Sequence, residues 1–333
     1  MGLVGEAGIV VLGAGVAGLT AARFLLERGE RVLLVAEALG EASRVPVALV
    51  NPLRGRRFTL AAEGERALEA ALSFYGRFAE LHMGVFRPVP EGERAKVAGR
   101  LGGLRHRWEG KGVLLEDAFW LEPRLLLERL AEGLPLLRAR VAAWEPPYLV
   151  LEGGKRVRGE VLVYAGGGRG AHLLGLEGRH IPGLVLTLLD YFPRAISYRV
   201  YLAGSALGGS YLPHRSDPEA PPPTEGEVEW LLKGAEDLLG YRPLVASAWR
   251  GVRFRLSTPS WLAPRRGPQR GHEQAALVDG ATFACGYLGA LPGGQDLPYL
   301  FPVDGGFALT GFGSTGFLYA PWLGERLLEA LGW

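Results

Sequence analysis

The chain has 333 residues, 48% of them hydrophobic, with 37 Lys and Arg against 35 Asp and Glu for a formal net charge of +2, and one cysteine, Cys285. So even a balance gives no reason to expect a polyanionic partner, a lone thiol excludes an internal disulfide or a cysteine metal cluster, and the length exceeds what one hydrophobic core usually fills. No uncharged apolar run is long enough for a membrane span, and the N-terminus, with Glu6 leading into a strand, does not look like a signal peptide; a two-domain cytoplasmic protein is expected.

Residues 9–37 have the order of a β-α-β unit built for a dinucleotide. Ile9 to Leu12 is a run of strand formers that stops at Gly13-Ala14-Gly15-Val16-Ala17-Gly18, a GxGxxG that opens a helix. Gly13 permits the tight turn, Gly15 lets backbone approach a pyrophosphate, and Gly18 lets the helix pack on the strand. Leu19 to Arg28 continues the helix, Gly29 stops it, and Arg31 to Val35 is a second buried strand. Glu37 follows, one residue later than the commonest spacing, at the distance where a carboxylate meets ribose hydroxyls.

Residues 42–52 form an apolar, irregular segment containing Ser43 and Arg44. From Ala62 to Met83, Leu68, Leu72, Tyr75, Phe78 and Ala79 recur at helical spacing, which predicts a packing helix. The stretch from Arg87 to Lys111 is basic and glycine-rich, as a solvated edge is. Pro123 opens a helix that Gly133 stops. Strands are expected over Leu136–Ala142, Tyr148–Leu151 and Glu160–Ala165, with a hairpin at Gly153-Gly154 and a glycine run at 166–168.

Residues 185–213 predict antiparallel sheet, Glu225–Leu239 an amphipathic helix, and Ala246–Pro259 another strand. The period of two sets Trp249, Gly251, Arg253 and Arg255 on one face of that strand. At the end, Phe307–Thr310 is a strand, Gly311–Gly316 a second glycine loop, and the following apolar helix contains Pro321, which leaves its start open.

These motifs together resemble the D-amino-acid-oxidase-like family of FAD-dependent oxidoreductases, which includes glycine and sarcosine oxidases and the FAD domain of the bifunctional tRNA wobble-uridine modifying enzyme. The resemblance rests on GAGVAGL with Glu37, ASRVPVALVNP, VLVYAGGG and LTGFGSTGFLYAP. It implies an α/β fold with a discontinuous Rossmann-like FAD domain (1–60, 121–184 and 303–333). A second, mainly antiparallel substrate domain would come from 61–120 and 185–302.

Carried over, Gly13, Gly15, Val16, Ala17, Gly18 and Glu37 hold the ADP half of non-covalent FAD, with Ser43 and Arg44 near the pyrophosphate or flavin. Val141 meets the adenine, Ala165 and Gly166 lie under the cofactor, and Gly313, Ser314, Thr315 and Gly316 face the flavin. The Gly209-Ser210-Tyr211 strand brings Tyr211 to the substrate, and Arg253 is the carboxylate clamp. Because Phe254 stands where the family has Pro and the stretch to Pro264 is longer than usual, Arg255 is an alternative clamp; separately, Ser260 stands where many members have Asp.

The chemistry implied is oxidation of the C–N bond of a small, glycine-like amine or amino acid by hydride transfer to flavin N5, with O₂ or another acceptor taking the electrons. No protein acid or base is required of the motif set. Two readings stay open beside it: a tRNA-modifying oxidase, which the basic 94–111 stretch and the Gly-Gly-Ser-Tyr match suit, and a non-catalytic flavin-binding module. The sequence gives no oligomeric state.

Overall fold

The computed structural model describes residues 2–209, 218–257, 277–278, 281–282, 288–291 and 295–333. Its architecture is mixed α/β, built on two large sheets.

Among the described residues the first sheet has nine strands. Its centre is parallel: Leu136–Arg138, Val32–Ala36, Leu3–Leu12, Arg156–Tyr164 and Gly306–Thr310 lie side by side in that order. Gln295–Val303 then adds antiparallel to the Gly306–Thr310 edge. A parallel strand is covered on both faces, which is why Leu3–Leu12 ends in a continuous apolar run whose Val10 and Val11 are wholly buried. The helices Val16–Glu27 and Gly316–Ala330 pack together over this sheet, and a Cβ at Gly324 would stand 2.5 Å from the Phe24 ring. The last helix starts at Gly316 and runs on through a buried Pro321.

The second sheet, seven strands among the described residues, is mostly antiparallel. Its order is Tyr201–Gly208, Gly178–Ser197, His82–Pro88, Gly112–Leu121 and Ala48–Val50, with Val245–Leu256 paired along Gly178–Ser197. The Glu225–Leu239 helix covers it through Leu231, Leu232 and Ala235, which pack on Leu184, Leu186 and Leu202.

That helix begins at a capping box in which the Glu227 N–H donates to Thr224 Oγ1 and the Thr224 N–H donates to Glu227 Oε2. Arg250 then donates two bonds to the same carboxylate, at 2.8 and 2.7 Å, where the two side chains are only 8% and 12% exposed. These donors, Arg250 first and then Thr224, hold Glu227 well below its usual 4.5, down to about 2. A carboxylate lowered by folding stabilises the fold fully above its unfolded value and loses that contribution as pH falls toward its folded one, here between about 4.5 and 2. The acid limb of thermal stability, followed by circular dichroism, is therefore expected to be shallower over this window in Glu227→Gln, whose midpoint at neutral pH is lower. An unchanged acid limb would show that the pair does not couple to folding.

Several expected elements differ in extent. The 62–83 periodicity becomes the Gly64–Tyr75 helix, ended at Gly76, followed by the His82–Pro88 strand. Residues 136–142 split, because Leu136–Arg138 continues the parallel sheet while Val141–Glu145 turns away to pair antiparallel with Tyr148–Leu151. The irregular 42–52 segment holds a 3-10 turn, Ala42–Arg44, and the strand Ala48–Val50, which joins the second sheet. Gln295–Val303, of which the resemblance put residues 295–302 in the substrate domain, pairs with the first sheet. No helix among the described residues is long and apolar enough to cross a membrane.

Candidate functional site

A cleft of about 1290 Å³ runs across the carboxyl ends of the parallel strands and against the second sheet. Ordinary small-ligand pockets hold about 300–1,000 Å³, so this one has room for a dinucleotide and a further small molecule. One end is lined by Gly13, Gly15, Val16 and Ala17, with Glu37, Val141, Ala165 and Gly166 around them. Val47, Ala48 and Leu49 also line it, as do Gly313, Ser314, Thr315 and Gly316, whose loop is tied to the second sheet by the Gly313 N–H donating to the Phe254 carbonyl at 2.9 Å. The far wall belongs to the second sheet: Gly183, Ser197, Tyr201, Trp249, Arg253 and Arg255.

The glycine turn divides into structural and cradling positions. Gly13 has φ +107°, and a Cβ there would stand 2.4 Å from the Ala165 carbonyl oxygen; a Cβ at Gly18 would stand 1.9 Å from the Gly13 oxygen. Both are demanded by helix and strands closing on one another, and Gly18 does not line the cleft. Gly15 is extended, with φ −79° and ψ −177°, and a Cβ there would meet only Ser43 Oγ, at 3.2 Å. Ser43 Oγ in turn accepts the Val16 N–H at 3.0 Å, so a hydroxyl from the apolar loop caps the helix that opens the motif. The backbone-lined space at Gly15, the helix N-terminus and the acid after the second strand fit an adenine dinucleotide. Arg44 stands outside the cleft lining, exposed, with its stem against Gly40.

Glu37, at the end of Val32–Ala36, is gripped by Arg140, whose hydrogen bonds hold its carboxyl below the usual carboxylate range. Glu41 meets Arg169 at 3.1 Å; burial pushes its carboxyl up and Arg169 only partly offsets this. Both pairs line the cleft. Deeper in, a fully buried Arg87 donates to the carbonyls of Leu53, Gly55 and Ser197 and lies over Phe58, fastening the 53–55 turn to the second sheet. Burial lowers that guanidinium to about 10.

On the Val245–Leu256 strand, alternation separates two arginines. Arg250 turns away to Glu227, whereas Trp249, Gly251, Arg253 and Arg255 all reach the cleft. Trp249 folds over Gly251, where a Cβ would stand 2.1 Å from the indole. Arg253 lies across Gly183, Nη2 donating to the Pro182 carbonyl at 3.3 Å, and is half-buried; Arg255 is exposed. Tyr201, half-buried, donates to the Val47 carbonyl at 3.4 Å, and its phenol is pushed up by desolvation, with Arg253 pulling the other way. Tyr211, Ser260 and Cys285 lie outside the described residues.

Arg140, Arg169, Glu41 and Tyr201 were not singled out from sequence as ligand contacts, since each enters the cleft through a pairing between distant segments. Position at the carboxyl end of a parallel strand was the one signal available for Arg140, next to Val141. The basic stretch resolves into local pairs: Arg105 with Glu116 and Asp117, Arg107 with Glu109, and Arg94 over Trp108. No group of three or more residues able to hold a metal occurs among the described residues.

A family model for FAD-dependent oxidoreductases (DAO) matches residues 8–330. No curated protein matches the chain by sequence. Among solved structures, glycine oxidase from Geobacillus kaustophilus has the same fold, with a TM-score of 0.68 at 16% identity over 99% of this chain and 95% of that one. Iminodiacetate oxidase from Chelativorans sp. BNC1 is similar, with a TM-score of 0.68 at 15% identity over 97% and 95%. So is dithionite-reduced, FAD-bound L-alpha-glycerophosphate oxidase from Mycoplasma pneumoniae, with a TM-score of 0.70 at 14% identity over 99% and 96%.

Proposed function

The chain belongs to the DAO family of FAD-dependent oxidoreductases, and from that membership we propose that it oxidises the C–N bond of a small amino acid or amine, glycine-like in size, to an imine. The observation that carries this reading is the second-sheet wall of the cleft, where Arg253 stands near Tyr201 on the strand that carries Trp249, and the Gly313 N–H of the glycine loop donates to the neighbouring Phe254 carbonyl. A planar guanidinium suits a carboxylate, which it meets with two parallel bonds. Two of the structures that share its fold are oxidases of glycine and of iminodiacetate, both carboxylate-bearing amines.

FAD, when bound, supplies the hydride acceptor at N5. Gly13 to Ala17, Glu37 and Val141 would hold its ADP half, and the 45–49 and 313–316 segments would border its flavin. The rest is positioning: Arg253 fixes the carboxylate and with it the adjacent carbon, while the Trp249 ring narrows the wall and keeps water from it. The substrate loses a hydride and a proton, and water hydrolyses the released imine. The local pairing of Arg94, Arg105 and Arg107 supports a small substrate over a tRNA. The test is anaerobic mixing of the holoenzyme with a panel of amines. Bleaching of the flavin by amino acids and not by the matching decarboxylated amines is expected; bleaching by neither class would overturn the reading.

Non-covalent attachment gives a second expected result. The one thiol, Cys285, is outside every motif that borders the cofactor, so acid precipitation should leave a yellow supernatant. Flavin carried down with the pellet would disprove it.

A further inference from the structure

Glu37 is not a lone acid at the end of a strand. Arg140 donates to it twice, Nε to Oε1 at 3.0 Å and Nη2 to Oε2 at 2.9 Å, so the guanidinium edge covers one edge of the carboxylate. Each oxygen keeps one outward lone pair, and because these two diverge, the carboxylate can accept a single hydroxyl on its open side while the fork stays in place. The fork is itself held. Its Nη1 meets Glu152 at 3.5 Å, the Glu152 N–H donates to the Arg140 carbonyl at 2.9 Å, and the Ala139 N–H donates to the Ala36 carbonyl at 3.2 Å. Backbone bonds therefore fix both sides of the pair, and Glu37, Arg140 and Glu152 all line the cleft.

A surface ion pair is the simpler account of such a contact. The side chains are 48% and 52% exposed, and pairs that open to water add little to stability. Little stability, however, is compatible with a large effect on a ligand, because a carboxylate with free rotamers must be ordered at the moment of binding. Arg140 also offsets a local problem of charge: Glu37 stands near Glu41, and an anionic diphosphate has to enter beside both. Arg169, paired with Glu41, is the other cation facing this group.

We propose that Arg140 is a positioning residue of the cofactor site, which presets Glu37 to accept the 2′-hydroxyl of the adenosine half of FAD. The inference concerns the cofactor end of the cleft and is independent of which amine is oxidised.

The experiment uses the full chain freed of flavin and measures binding of ADP and 2′-deoxy-ADP by calorimetry, in wild type, Arg140→Met, Arg140→Lys, Glu37→Gln and the double variant Glu37→Gln/Arg140→Met. Wild type is expected to prefer ADP by about tenfold, the worth of one charge-assisted hydrogen bond. Arg140→Met should lose most of that preference with the thermal midpoint of the flavin-free protein unchanged, Arg140→Lys should be intermediate, and the double variant should prefer ADP no less than Glu37→Gln alone. A role confined to structure or to overall charge weakens both nucleotides equally and leaves their ratio intact. The proposal is overturned if the ratio survives in Arg140→Met, or if Glu37→Gln leaves it at the wild-type value.

Discussion

Replacing Arg253 by Lys is expected to lower kcat/KM for an amino acid substrate by about two to three orders of magnitude while FAD stays bound. The strand around it explains why one arginine of three is singled out. Arg250 is committed to Glu227 on the far face, and Arg255 is exposed toward the end of the strand, whereas Arg253 is half-buried across Gly183. Gly183 matters here, since a Cβ at that position would come within 3.0 Å of Nη2 and push the fork out of its seat. Removing one partner of a buried, bidentate pair typically costs about 3–5 kcal/mol, and lysine restores the charge without the fork. Stopped-flow reduction of the flavin under anaerobic conditions reads the effect directly, in wild type, Arg253→Lys and Arg255→Lys. Loss in Arg255→Lys with Arg253→Lys unaffected would transfer the clamp to Arg255; no change in either would remove the carboxylate model.

The parts of this site that could be read from sequence are those whose signals are local. The strand, glycine turn, helix and acid of residues 9–37 are adjacent in the chain, and each residue type there has a steric or hydrogen-bonding reason that does not depend on the remainder of the fold. Alternation on the Val245–Leu256 strand groups Trp249, Gly251, Arg253 and Arg255, and all four reach the cleft, but Val252 and Phe254 of the opposite parity line it as well, which a period of two does not foresee. What pairs at a distance was not legible. Glu37 and Arg140 are 103 residues apart, and nothing near either names the other. Residues 48–50 carry the apolar pattern of any buried strand, so their place in the second sheet depends on Phe119 to Leu121, a partner that periodicity does not identify. The basic stretch, expected as a solvated edge, keeps Arg105 and Arg107 exposed, while the carboxylates they meet on the neighbouring strand are ones the sequence does not name.

The second large effect is expected from Gly15→Val, which should yield a folded protein without flavin. Its backbone, at φ −79° and ψ −177°, is open to any residue, so the substitution brings no conformational strain. This separates it from Gly13 and Gly18, where an added Cβ would run into main-chain atoms at 2.4 and 1.9 Å and folding itself would suffer. At Gly15 the first atom met is Ser43 Oγ, at 3.2 Å, a hydroxyl that can rotate; the two methyls of valine would go further, into the cleft where the diphosphate must approach the helix N-terminus. Displacing Ser43 would also remove the acceptor of the Val16 N–H, a smaller loss of about 1 kcal/mol by analogy with helix caps. A graded series follows, with Gly15→Ala retaining flavin at reduced affinity and Gly15→Val retaining none. The thermal midpoint of the valine variant should lie slightly below that of flavin-free wild type, by the lost cap alone, because the stabilisation contributed by bound cofactor is absent from both. Absorbance of the purified variant decides the matter: a stoichiometric flavin spectrum in Gly15→Val would mean that this turn shapes the fold and does not receive the cofactor.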